Sequence, residues 1–102
     1  MQPGTPTPKQ KRVAMSLLTA DRDMEAAEAL LQVGAHLYEN IGFHCQQVVE
    51  KYLKGVLVAY SLPAVDLRYE TDDAPAYTSA DVLAMAHRFR AKLRPLAQAF
   101  LT

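Results

Sequence analysis

Five polar side chains, His44, Gln47, Glu50, Lys51 and Lys54, recur within an otherwise apolar stretch of the chain. At ~100° per residue they fall together on one side of a helix. The opposite side is an apolar face of Cys45, Val48, Val49, Tyr52, Leu53, Val56 and Leu57. Lys51 and Lys54 supply cations, while His44 and Gln47 supply hydrogen-bond donors, a set able to converge on a phosphate or a base edge. The plainer account is a solvated face in which Glu50 pairs with Lys54 one turn on, worth a few tenths of a kcal/mol. Gln46, at the edge of the apolar face, and Tyr52, within it, are expected to fix helix packing through hydrogen bonds. Asp21 and Glu28 lie seven residues apart beside an earlier apolar stripe, where they can meet Lys51 or His44 across a hairpin. Arg68 beside Tyr69 can clamp an anion from a loop.

Other chemistries find no residues. A carboxylate-bundle metal site needs Glu three positions before His; the positions before His36, His44 and His87 hold Val33, Ile41 and Ala84. No glycine-rich phosphate loop occurs, and neither a metal nor a cofactor is expected. The run from His87 to Arg94 carries four cations but spreads them around its helix, as a solvated face or a weak anion surface does. Eleven Lys plus Arg balance eleven Asp plus Glu, so no global field attracts nucleic acid or an anionic membrane. The single Cys45 excludes an internal disulfide and reads as a small hydrophobe in a reducing cytosol. No apolar run approaches the ~20 residues of a membrane span, and the start lacks the order of a signal peptide. A soluble cytoplasmic protein is expected.

The elements that must position the polar row are helices. Residues 1–8 hold three prolines and form an expected flexible tail, leaving 9–102 as one domain. Val13, Leu17, Ala20, Met24, Ala27 and Leu31 step by three and four, predicting a helix from about Lys9 to Val33. Gly34 stops it, and the short link Ala35-His36-Leu37 leads into a second, antiparallel helix from about Tyr38 to Tyr60. Ser61-Leu62-Pro63 ends that helix, and the stretch to Tyr77 reads as a loop of ~16 residues. Thr78 or Ser79 caps a third helix with Asp81 in its first turn. Its stripe is Val82, Ala86, Phe89, Leu93, Leu96 and Phe100, and Pro95 should kink it or loosen its last turn. The fold class is all-α, an antiparallel up-down bundle of three main helices.

Two pieces together resemble a HEPN domain: Ala20-Asp21-Arg22-Asp23-Met24-Glu25-Ala26-Ala27-Glu28-Ala29-Leu30-Leu31, and Tyr38 through Phe43-His44-Cys45-Gln46-Gln47 to Glu50-Lys51-Tyr52-Leu53-Lys54. The resemblance covers residues ~12–60, and Leu67-Arg68-Tyr69 with the last helix is similar to the family's carboxyl-terminal portion. It implies an antiparallel bundle, commonly dimeric, linked to nucleotide binding, RNA cleavage or pairing with a small nucleotidyltransferase in toxin–antitoxin modules. Compared with such members, a segment opened by His-Asp-Leu after the second helix is missing. Part of the first hairpin's apolar face would then stay wet, and a second copy of the chain is expected to cover it, giving a homodimer through the helical hairpin.

Ribonuclease members resemble one another in an Arg followed by four to six residues and then His. Here the corresponding positions before the three histidines hold Ala29, Leu30 and Leu31; Leu37, Tyr38 and Glu39; and Ala80, Asp81 and Val82. Without that guanidinium, cleavage of this kind loses its main electrostatic and proton-transfer contributions. The expected function is therefore non-catalytic nucleotide or partner binding, with a minimal nucleotidyltransferase as partner. The alternatives are a metal-independent ribonuclease toxin assembled from His44, Lys51 and Arg68 or Arg88, and a degenerate interaction scaffold.

Overall fold

The computed structural model describes residues 4–63 and 78–102. Thr7 caps the first helix, α1 (Pro8–Val33): its hydroxyl accepts from the Gln10 backbone N–H while the Gln10 side chain accepts from the Thr7 N–H. Pro8, fixed in φ and lacking an N–H, suits the first helical turn. The proline-rich start thus reaches into α1 and is not all tail. α2 (Tyr38–Ala59) follows the link predicted around Gly34. It ends in a Schellman turn, with Leu62 N–H donating to Leu57 O, Ser61 N–H to Val58 O, and Ser61 at a left-handed φ of 53°. α3 (Ser79–Leu101) opens with the reciprocal Thr78–Asp81 capping box. Among the described residues there is no strand, so the all-α class stands.

The helix order departs from strict up-down. Ser79, at the start of α3, donates to Ala35 O beside the α1–α2 link. At the other end Tyr60 donates to Leu96 O, and Lys9 lies over the Phe100 ring. α3 therefore runs parallel to α2 and antiparallel to α1. A 16-residue estimate for the connection, at ~3.3 Å per residue, exceeds the ~35 Å length of α3, so chain length permits this return where a tight turn would forbid it.

The core is Val13, Leu17, Ala20, Met24 and Ala27 of α1, Ile41, Cys45, Val48, Tyr52 and Val56 of α2, and Leu83, Ala86 and Ala97 of α3. Gly55 lies where all three helices meet. A methyl there would sit 3.5 Å from Ser16 Cβ and 3.6 Å from Ala97 Cβ, leaving no room for a larger side chain. This close approach turns the small face of α3 inward. Phe89 and Leu96, expected in the core stripe, are consequently 44% and 49% exposed, while Leu83 and Ala97 take their place. Pro95 does not detach the last turn, because helix continues to Leu101 and Ala97 is fully buried.

Candidate functional site

α1 carries acids on both flanks of its apolar stripe: Asp23 on one engages α2, and Asp21 and Glu28 on the other engage α3, Asp21 reaching Tyr52 of α2 as well. On the α2 side, Asp23 accepts from Lys51 Nζ through one oxygen and lies 2.9 Å from His44 Nδ1 through the other. Asp23 is 13% exposed, whereas His44 and Lys51 are about 30% exposed. Burial pushes the Asp23 carboxyl up, but Lys51 and His44 together outweigh it and hold the group below the ordinary carboxylate range. The carboxylate is thus ionised and fixes two donor side chains at the surface of the hairpin.

Gln47, half-buried one turn before Lys51, and the exposed Gln46 both donate toward Glu50, at 3.5 and 3.2 Å. Glu50 therefore accepts from these amides, and the Glu50–Lys54 pair of the plainer account is not formed. Lys54 is exposed at the end of the row. The row His44, Gln47, Lys51 and Lys54 thus stays on one face of α2, with its first and third members anchored. Arg68 lies outside the described residues.

On the α3 side, Asp21 takes a bidentate contact from Arg94, with Nη2 at 2.8 Å and Nε at 3.1 Å, and also accepts from the Tyr52 hydroxyl. Arg90 approaches to 4.0 Å. The Arg94 bonds, assisted by Tyr52, hold the Asp21 carboxyl below its usual range despite burial. Burial, then the hydrogen bond to Asp21, pushes the Tyr52 hydroxyl up to about 12. Glu28 meets His87 at 3.1 Å, both half-exposed. Asp21 and Glu28 therefore do not meet Lys51 or His44 as expected: Glu28 pairs with α3, and Asp21 with α3 and with Tyr52 of α2. Sequence spacing missed Asp23 as the partner of Lys51 and His44, and placed Arg90 and Arg94 in a basic run without their partner Asp21. The one available signal was that Asp23 also borders the α1 stripe, on its other edge.

Cys45 is buried and its thiol is pushed up to about 11, as a small core hydrophobe requires. Among the described residues no three His, Cys, Asp or Glu side chains gather as metal ligands, and no helix is long and apolar enough to cross a membrane.

Residues 13–66 match the HEPN domain, more than half of the 102-residue chain, and the chain belongs to the HEPN domain family. Membership suggests, in general terms, a nucleotide- or RNA-related role or one in a toxin–antitoxin system. Comparison with curated proteins and with solved structures gave no match.

Proposed function

We propose that the chain is a nucleotide-binding helical module that does not itself cleave RNA, with His44, Gln47, Lys51 and Lys54 as the binding row. The observation that carries this reading is the Asp23 anchor. By fixing Lys51 and His44 before any ligand arrives, it lowers the ordering cost of binding. Lys51 spends one of its three donors on Asp23 and His44 one of its two ring nitrogens, so each has capacity left for a phosphate or base edge. Catalysis is disfavoured because no Arg precedes a His at the ribonuclease spacing. Arg88, the alternative guanidinium, is exposed ~140° around α3 from the core residue Leu83.

Thermal unfolding with millimolar nucleotides tests this reading. A nucleotide at about 100 times its Kd adds ~2.7 kcal/mol, a rise of about 10–20 °C for a domain this size. The rise should disappear in Lys51→Ala/Lys54→Ala. No rise with any nucleotide would sink the nucleotide reading and leave partner binding, for which a small nucleotidyltransferase is the partner the family suggests.

A homodimer belongs to the same proposal. Phe89 and Leu96 lie two turns apart on the outer side of α3, and Tyr60, 48% exposed, packs at its end against Phe100. A second copy covering this apolar strip would remove it from water. Light scattering at micromolar concentration should give twice the chain mass, and Phe89→Glu should return it to one.

A further inference from the structure

An open groove of about 550 Å³ runs beside α3, lined by His87, Arg90, Ala91, Arg94, Pro95 and Gln98. It borders the Asp21–Glu28 flank of α1, whereas the Asp23 anchor and the α2 row occupy the other flank. Its donors exceed its acceptors. Asp21 is engaged by Arg94 through both oxygens and by Tyr52, leaving Arg90 at 4.0 Å, beyond hydrogen-bonding distance. Among the described residues Arg90 therefore has a full guanidinium fork and no hydrogen-bond acceptor. Arg94 directs Nη1 to Gln98 Oε1 at 3.3 Å, which orients the Gln98 amide and frees its two N–H donors. Ala91 and Pro95, short side chains one turn apart, keep the space between these groups open.

We propose that this groove binds a phosphate group, with Arg90 as its principal ligand and Arg94 and Gln98 contributing further donors. The reading goes beyond the α2 row and stands on different residues. Arg90, Arg94 and Gln98 lie on successive turns of one face. Their donors outnumber what two coplanar carboxylate oxygens can accept, and suit the tetrahedral oxygens of phosphate. Arg94 is held in place by Asp21, so the site is partly formed before binding. The exposed Arg88 and Lys92 beside it raise the local positive potential without touching the ligand.

Calorimetric titration of the full chain with pyrophosphate, inorganic phosphate and AMP, at constant ionic strength, tests the site. Saturable pyrophosphate binding is expected. Arg90→Gln should weaken it about 10- to 100-fold, the range for losing a charge-assisted bidentate contact. Gln98→Ala, which removes no charge and leaves the Asp21–Arg94 pair, should weaken it several-fold, and circular dichroism confirms that both variants keep their helices. In the Lys51→Ala/Lys54→Ala background, where the α2 row is disabled, the Arg90-dependent binding should persist, which separates this site from the α2 row. AMP bound no better than inorganic phosphate assigns the site to the phosphate alone, and tighter AMP binding assigns it to the phosphate of a nucleotide. No saturation, equal affinity in Arg90→Gln, or no saturable binding left in the Lys51→Ala/Lys54→Ala background would each overturn the proposal.

Discussion

Tyr52→Ala is expected to lower stability by about 3–5 kcal/mol, the cost of deleting a fully buried aromatic side chain and leaving a cavity. With single domains holding only ~5–15 kcal/mol, that loss is severe, and the melting temperature should fall by at least ~12 °C. Tyr52→Phe keeps the ring and removes only the hydroxyl bonded to the Asp21 carboxylate, so its cost should be ~1.5–3 kcal/mol, the range for a hydrogen bond to a charged group. The two variants also differ from the parent in alkali. Because the folded-state pKa of Tyr52 is raised to about 12, its contribution is complete below pH 10 and is lost as the pH rises toward 12. Chemical denaturation between pH 9 and 12 should show this fall in the parent and a shallower one in Tyr52→Phe. A Tyr52→Ala protein as stable as the parent would mean that the three helices do not meet around this ring.

The helices themselves were legible because each carries a repeat of three and four, and because Thr78, Asp81 and Gly34 mark ends in ways independent of tertiary packing. The polar partners were not. A stripe such as Val13–Leu31 has two edges, and Asp21 and Asp23 lie on opposite ones. Periodicity places both beside the core but cannot say which neighbouring helix each edge faces. That depends on the handedness of the bundle, so Lys51 and His44 found Asp23 while Asp21 turned to Arg94. The same limit applies to α3. Its apolar residues span a broad arc, from Leu83 and Ala97 to Phe89 and Leu96, and the repeat alone favours the larger side chains. Gly55 on the facing helix favours the smaller residue, because even a methyl added there would already meet the Ala97 Cβ at 3.6 Å. The basic run on α3 read as a solvated face or a weak anion surface, because spacing alone does not show that Asp21 of α1 engages Arg94 and leaves Arg90 without a hydrogen-bond acceptor.

Asp21→Ala should cost about 2–4 kcal/mol, and the reason is how many helices depend on one carboxylate. Asp21 on α1 is the shared acceptor for Tyr52 on α2 and Arg94 on α3. Removing it strands a hydroxyl on a fully buried residue, worth ~1–3 kcal/mol, and a guanidinium that is 32% exposed. Partial access to water places the charge term between the ~0–1 kcal/mol of surface pairs and the ~3–5 kcal/mol of breaking a fully buried one. The pH dependence distinguishes this mechanism from simple loss of packing. Asp21 has its folded pKa held below the usual range, so its contribution is present above the ordinary carboxylate value near 3.8 and is lost as the pH falls through the folded value. Denaturant midpoints measured from pH 6 downward should therefore converge: the gap between parent and Asp21→Ala narrows below about pH 4 as the parent loses its ion pair. Asp23→Ala provides the contrast. Its partners Lys51 and His44 are side chains that water can reach, so about 1 kcal/mol is expected. A gap that stays constant with pH would show that Asp21 acts through shape rather than charge, and equal costs for the two aspartates would remove Asp21 as the junction of the three helices.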